Sequence, residues 1–265
     1  ERYTEERNAR IEVRHDVLRG ERAQREDEII VKFKDADTFE RVPLTDGRRV
    51  EDAISEYRGR SDIEYAEPNY IAYAFSVPND PQYQYQWNLD NPTYGGIGYE
   101  EARELSTGAG VTVAVIDTGV AYENYNSGLK TYYQAPDLAN TTFVQGYDFV
   151  SNDTHANDEN GHGTHVAGTI AQSTENGIGV AGVAPNAKVM PIRVLDANGS
   201  GTYADVADGI RFAADNGAKV INLSLGGSSG TTYLEQALAY AYGKGVTIVA
   251  ASGNNGAGSV SYPAA

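Results

Sequence analysis

The sequence contains no cysteine in its 265 residues, so no disulfide framework holds the fold and stability must come from packing or bound ions. Nor does any apolar run approach the ~18 residues that a membrane helix requires. The first residue, Glu1, opens no charged-then-apolar leader, so any signal peptide is expected to have been removed already. Basic residues are few: 21 Lys and Arg stand against 37 Asp and Glu, a net charge of -16. Phosphates would be repelled, which argues against a nucleic-acid partner, whereas surplus carboxylates invite a hard cation.

The shortage of basic residues is uneven. From Ser76 onward the only ones are Arg103, Lys130, Lys188, Arg193, Arg211, Lys219 and Lys244, while arginines crowd the first sixty positions. Two differently composed segments are therefore joined. A hydrophobic content of 40% is sufficient for a buried core.

Three regions are expected. Residues 1–27 mix Arg, Glu and Asp with few apolar positions and read as a charged helix or tail. Residues 28–75 read as a small α+β unit: a strand at Ile29–Phe33, a helix from Val50 to Tyr57 and a Tyr-rich strand from Ile63 to Ala74. In residues 76–265 the pattern becomes strand, glycine turn, helix. Val111–Ile116, Val189–Leu195, Val220–Leu225 and Val246–Ala251 are near-continuous apolar runs, as expected of parallel strands covered on both faces. Val206, Ala207, Ile210, Ala213 and Ala214 share one helical face, as do Leu234, Ala237, Leu238 and Ala241, with Gly217 and Gly243 as helix stops. This predicts an α/β fold, a doubly wound and mainly parallel sheet with flanking helices, preceded by the α+β unit. Ligands in such sheets bind beyond the carboxyl ends of the strands.

Three polar residues lie at or beside that edge. Asp117 follows the strand ending at Ile116, Asn254 follows the strand ending near Ala251, and His162 opens Gly161-His162-Gly163-Thr164-His165-Val166-Ala167-Gly168. Taken singly, each has an ordinary structural reading as a turn cap, a left-handed turn residue or a helix-start histidine. In combination they are specific. Val115-Ile116-Asp117-Thr118-Gly119, the His162 segment, Ser224-Leu225-Gly226-Gly227 and Ala251-Ser252-Gly253-Asn254 match, in order and spacing, the motifs of subtilisin-like serine proteases. The likeness is closest to thermitase-type enzymes and extends from about Ser76 to Ala265.

The resemblance implies a secreted serine endopeptidase acting on polypeptide substrates. His162 would be the general base and Asp117 its partner, fixing the tautomer and stabilising the imidazolium. Asp, His, then Ser is the chain order of subtilisins. Asn254 would donate its side-chain amide to the oxyanion, an interaction worth ~3 to 4 kcal/mol in subtilisins. His165 does not suggest zinc: a metalloprotease helix needs His-Glu-x-x-His, whereas the spacing here is three with Gly163 and Thr164 between. It reads as a structural residue that hydrogen-bonds locally.

Gly199-Ser200-Gly201 and Ser224-Leu225-Gly226 would flank an extended substrate peptide through backbone hydrogen bonds, and Tyr203 would shape a more distant pocket. The likeness also implies structural calcium. Asp80, Asp137 and Asn176, with the carbonyls of Ser173, Ile178 and Val180, align with a tight site; Asp148, Asp153 and Asn157 resemble a weaker one, where Ser151 and His155 depart from the pattern and a solvated acidic loop is the alternative. Ile63-Glu64-Tyr65-Ala66-Glu67-Pro68-Asn69-Tyr70 resembles the end of an inhibitory propeptide that would lie in the cleft. That propeptide would be abbreviated, because no room exists between Phe33 and Phe39 for its usual first helix and the strand that follows it.

The nucleophile of such enzymes lies in Gly-Thr-Ser-Met-Ala, which does not occur here. The expectation is a C-terminally truncated catalytic domain, inactive alone, with the nucleophilic serine absent from the chain and the missing segment supplied by the remaining sequence or a separate chain. The alternative is a non-catalytic peptide-binding or inhibitory fragment on the same scaffold.

Overall fold

The computed structural model describes residues 24–70, 77–89, 96–254, 256 and 258–265. The chain divides into two compact units, Glu1–Ser76 and Val77–Ala265.

In the first unit, β1 (Gln24–Phe33), β2 (Phe39–Pro43) and β3 (Ile63–Tyr70) form an antiparallel sheet in the order β2-β1-β3, and α1 (Val50–Arg58) lies between β2 and β3 in sequence. Ile29 and Val31 of β1 turn to one face, where they meet Val50, Ala53 and Ile54 of α1 and Ile63 and Ala66 of β3. Alternate strand positions thus face the helical positions i, i+3 and i+4. Glu51 and Asp52 in the first turn of α1 and Arg58 in the last complement its dipole. Pro68 is tolerated because β3 is an edge strand.

Two readings of this unit are corrected. The segment read as a tail ends inside β1, which begins at Gln24, and β2 was not foreseen. Of the strand expected to reach Ala74, β3 accounts for Ile63–Tyr70, and residues 71–74 lie outside the described part.

The second unit is built on β4 (Thr112–Asp117). It pairs in parallel with β9 (Lys188–Arg193) on one side and β10 (Val220–Leu223) on the other, with β11 (Thr247–Ala250) beyond β10. β7 (Thr142–Phe143) and β8 (Tyr147–Asp148) both pair with β9, and β5 (Tyr125–Asn126) and β6 (Thr131–Tyr132) make a separate hairpin. Besides α2 (Tyr99–Leu105), the α-helices among the described residues are α3 (His162–Ala171), α4 (Tyr203–Asp215) and α5 (Thr232–Gly243), each preceding a strand of the parallel set.

Successive residues of β4 serve opposite layers. Ala114 and Ile116 pack with α4 and α5 through Val206, Ile210, Leu234 and Ala237. Val113 and Val115 pack with Ala167 and Ala171 of α3. This is the doubly wound sheet expected of strands that are apolar on both faces. β11 departs from that pattern: Val249 is half exposed, because β11 is the edge strand of this sheet. Helix α4 stops at Gly217, whose φ is +85°, but the left-handed residue after α5 is Gly245 (φ +79°) rather than Gly243, which is the last residue of the helix.

Candidate active site

Parallel pairing puts the carboxyl ends of β4, β9, β10 and β11 on one edge of the sheet. Asp117 is the last residue of β4 and is wholly buried. Gly161, with φ +103°, turns the chain into α3, and His162 is the first residue of that helix. The two side chains meet there: His162 Nδ1 lies 2.7 Å from Asp117 Oδ1.

Asp117 Oδ1 also accepts from Thr118 N–H at 2.7 Å, whereas Oδ2 is buried with no hydrogen-bond partner among the described residues. Burial pushes the Asp117 carboxyl above its ordinary value, and hydrogen bonds from His162 and Thr118 pull it only part of the way back. The imidazole is half exposed, and among the described residues Asp117 is its only hydrogen-bond partner. With Nδ1 engaged, Nε2 is left as the nitrogen available to a substrate-side group.

That ring borders a cleft of about 490 Å³. All seven residues expected to contact substrate line the same cleft: Gly199, Ser200 and Gly201 from the β9–α4 connection, Tyr203 at the start of α4, and Ser224, Leu225 and Gly226 after β10. The sequence reading missed Thr118, Asn160, Leu195, Asn198 and Val206, which complete the lining. Their signal was proximity, since each lies within a few positions of a residue already singled out. Asn160 Nδ2 donates to the Ala197 carbonyl at 3.0 Å and joins the histidine side of the cleft to the β9 side. A methyl group on Gly227 would sit 2.1 Å from the Tyr203 hydroxyl, so glycine there lets the phenol occupy its place.

Asn254 lies four positions beyond the end of β11, after Gly253 with φ +107°, and is solvent-exposed. It is not among the residues lining this cleft. His165 corrects another expectation: it is exposed on α3, and its ring has no hydrogen-bond partner among the described residues.

The first candidate calcium group converges on the loop after α3. Asp80, which is buried, accepts from Glu175 N–H at 2.9 Å and Asn176 N–H at 3.3 Å. Asp137 accepts from Asn176 Nδ2 at 2.8 Å and from Val180 N–H at 3.2 Å. The Gly179 carbonyl accepts from Gln82 N–H, whereas those of Ser173, Ile178 and Val180 accept no hydrogen bond among the described residues. Asn176 Oδ1 in turn accepts from Ile178 N–H at 3.0 Å, so the amide and both carboxylates are engaged by the chain's own donors.

The second group is engaged differently. Asp148 and Arg193 form a buried ion pair at 3.0 Å, and the other Asp148 oxygen accepts from Val150 and Ser151 N–H. Asp153 caps the His155 N–H, and Asn157 donates to Glu123. His155 stacks on Tyr125 with ring centroids 3.6 Å apart and contacts Glu123. Among the described residues, no three His, Cys, Asp or Glu side chains gather where they could hold a metal.

A family model for the subtilases matches residues 108–265, the stretch that contains the Asp117–His162 pair and both sides of the cleft. The chain belongs to the subtilase family. It is 46% identical over 216 residues to a thermophilic serine proteinase of Bacillus sp. (strain AK1), covering 81% of this chain and 50% of that protein. It is 45% identical over 190 residues to thermitase of Thermoactinomyces vulgaris, covering 71% and 62%. Among solved structures, it resembles a protease of Pseudoalteromonas arctica PAMC 21717 (TM-score 0.58, 37% identity, 68% of this chain and 60% of that one). Sphericase is also similar (TM-score 0.52, 41% identity, 60% and 51%). The chain thus spans 50% to 62% of the length of these proteins.

Proposed function

We propose that these residues belong to the precursor of a secreted serine endopeptidase whose nucleophilic serine lies outside the 265-residue sequence. The observation that carries this reading is the 2.7 Å contact between Asp117 and His162 Nδ1 at the mouth of the cleft. A substrate peptide would lie extended between Gly199–Gly201 and Ser224–Gly226, pairing with their backbone groups. His162 Nε2 takes the serine hydroxyl proton as the oxygen bonds to the scissile carbonyl carbon, then returns it to the leaving amine as the peptide C–N bond breaks. Asp117 holds the ring with Nδ1 protonated and stabilises the imidazolium. Asn254, which lies four positions beyond β11 and outside the cleft lining here, would donate to the oxyanion once the serine segment completes the site.

Calcium would be held by Asp80, Asp137 and Asn176 with the carbonyls of Ser173, Ile178 and Val180, the Asn176 amide turning its oxygen inward. The bound ion would tie the segment around Asp80 to the loop after α3. The small α+β unit would serve as the propeptide.

The test is hydrolysis of casein by the full-length gene product, alongside H162A and the 265-residue chain. The reading requires activity in the first alone; an inactive full-length protein that still binds casein would favour a peptide-binding role.

A further inference from the structure

Behind the Asp117–His162 pair lies a carboxylate that the proposed chemistry does not use. Asp158 is partly buried and accepts five hydrogen bonds: from Thr118 Oγ1 at 2.9 Å, Asn160 N–H at 2.9 Å, Gly161 N–H at 2.9 Å, Thr164 N–H at 3.0 Å and Thr164 Oγ1 at 2.6 Å. Burial alone would raise its pKa, but these donors outweigh that cost and hold it below the usual carboxylate value. Asp158 is therefore ionised at neutral pH.

The two threonines work reciprocally. Thr118, at the exit of β4, accepts from Gly163 N–H of α3 at 2.9 Å. Thr164, on α3, accepts from Ala121 N–H in the segment after β4 at 2.9 Å. A hydroxyl has one proton, and in both residues that proton is directed at Asp158. This leaves the hydroxyl lone pairs facing the opposite element. Two clasps thus join the strand exit to the helix start, and one carboxylate orients both. Asp117 immediately precedes Thr118, and His162 immediately precedes Gly163.

We propose that Asp158 is the positioning residue of the site, fixing the separation of Asp117 and His162 by orienting the Thr118 and Thr164 hydroxyls. Its catalytic meaning rests on the hydrolase reading; the positioning itself does not. Asn at 158 keeps the shape but must aim an amide N–H at the donors of one oxygen, so it disturbs the Thr118 clasp in one orientation and the Thr164 clasp in the other, without opening a cavity.

The decisive experiment is NMR of the 265-residue chain labelled with 15N-histidine, following the Nδ1–H of His162, assigned by its loss in H162Q. In the parent chain this proton is expected downfield and slow to exchange. In D158N with native amide dispersion it should disappear or exchange at least roughly tenfold faster, and T164V should shift it in the same direction while T164S preserves it. An unchanged resonance in folded D158N overturns the proposal. Should D158N not fold, T164V decides in the same way: altered exchange supports the proposal and unchanged exchange overturns it. In the full-length protein, D158N should lower kcat with little change in KM. Inactivity of the full-length parent would sink the hydrolase reading while leaving the NMR result to judge the positioning role.

Discussion

Gly163, in the first turn of α3, lies so close to Gly119 that a methyl group on its α-carbon would sit 2.1 Å from the Gly119 carbonyl oxygen. The obstructing atom is backbone, so it cannot swing aside as a side chain could. The same methyl would stand 3.1 Å from Asp117 Cβ. The helix bearing the histidine is therefore pressed against the strand exit bearing the aspartate, and absence of a side chain permits the approach.

G163A is accordingly expected to destabilise the second unit by ~1 to 3 kcal/mol, the usual cost of overpacking a tight contact. It should also weaken the His162–Asp117 hydrogen bond. Thermal melts and the His162 Nδ1–H resonance check this; parent-like values for both would contradict the geometry.

Asp117 and Asp158 should have opposite effects on stability. Burial raises the folded-state value of Asp117, so its contribution is most favourable when protonated and is lost as pH rises from the unfolded value, near 4, through the folded one. At pH 7 the folded protein bears the cost of a buried charge. D117N, which cannot ionise, should therefore gain in melting temperature relative to the parent as pH rises from 3 to 8.

Asp158 has a lowered folded-state value, so its contribution is present above the unfolded value and is lost as pH falls through the folded one. D158N should melt below the parent at pH 7, with the difference narrowing below about pH 4. Melts across pH 3 to 8 decide between these slopes; parallel curves for all three proteins would contradict the assignment.

Calcium should raise the melting temperature by mass action on the folded state. The difference between calcium and chelator should largely vanish in D137A, whose carboxylate anchors Asn176 and Val180. D153A, which alters only the second group, should retain most of it. Equal calcium responses in parent and D137A would remove the proposed site.

Maturation should occur within a few residues of the Phe75–Ser76 bond, in a segment outside the described residues. N-terminal sequencing of protein purified after expression of the full-length gene checks this. A mature N-terminus upstream of Ile63 would assign the strand Ile63–Tyr70 to the enzyme rather than to a propeptide.

Much of the second unit was legible because its strands are buried: Val113 to Ile116 and Val189 to Ile192 are apolar on both faces and announce themselves as continuous runs. Asp117, His162 and the glycine segments were legible as ordered motifs. β2 was not, since Phe39-Glu40-Arg41-Val42-Pro43 is largely exposed and carries no alternating apolar signal. The charged start of β1 was hidden for the same reason. Asp158 escaped notice because its role depends on hydroxyls brought together from two elements, and no spacing within the His162 segment reveals Thr118. The calcium reading of Asp148 did not anticipate Arg193, a partner that only the pairing of β8 with β9 supplies.

The most direct measurement of the central claim is labelling of the full-length protein with a fluorophosphonate, followed by peptide mapping. One label per molecule is expected, on a serine outside the 265 residues, and none in H162A. A label on a serine within these residues, or undiminished labelling in H162A, would contradict it.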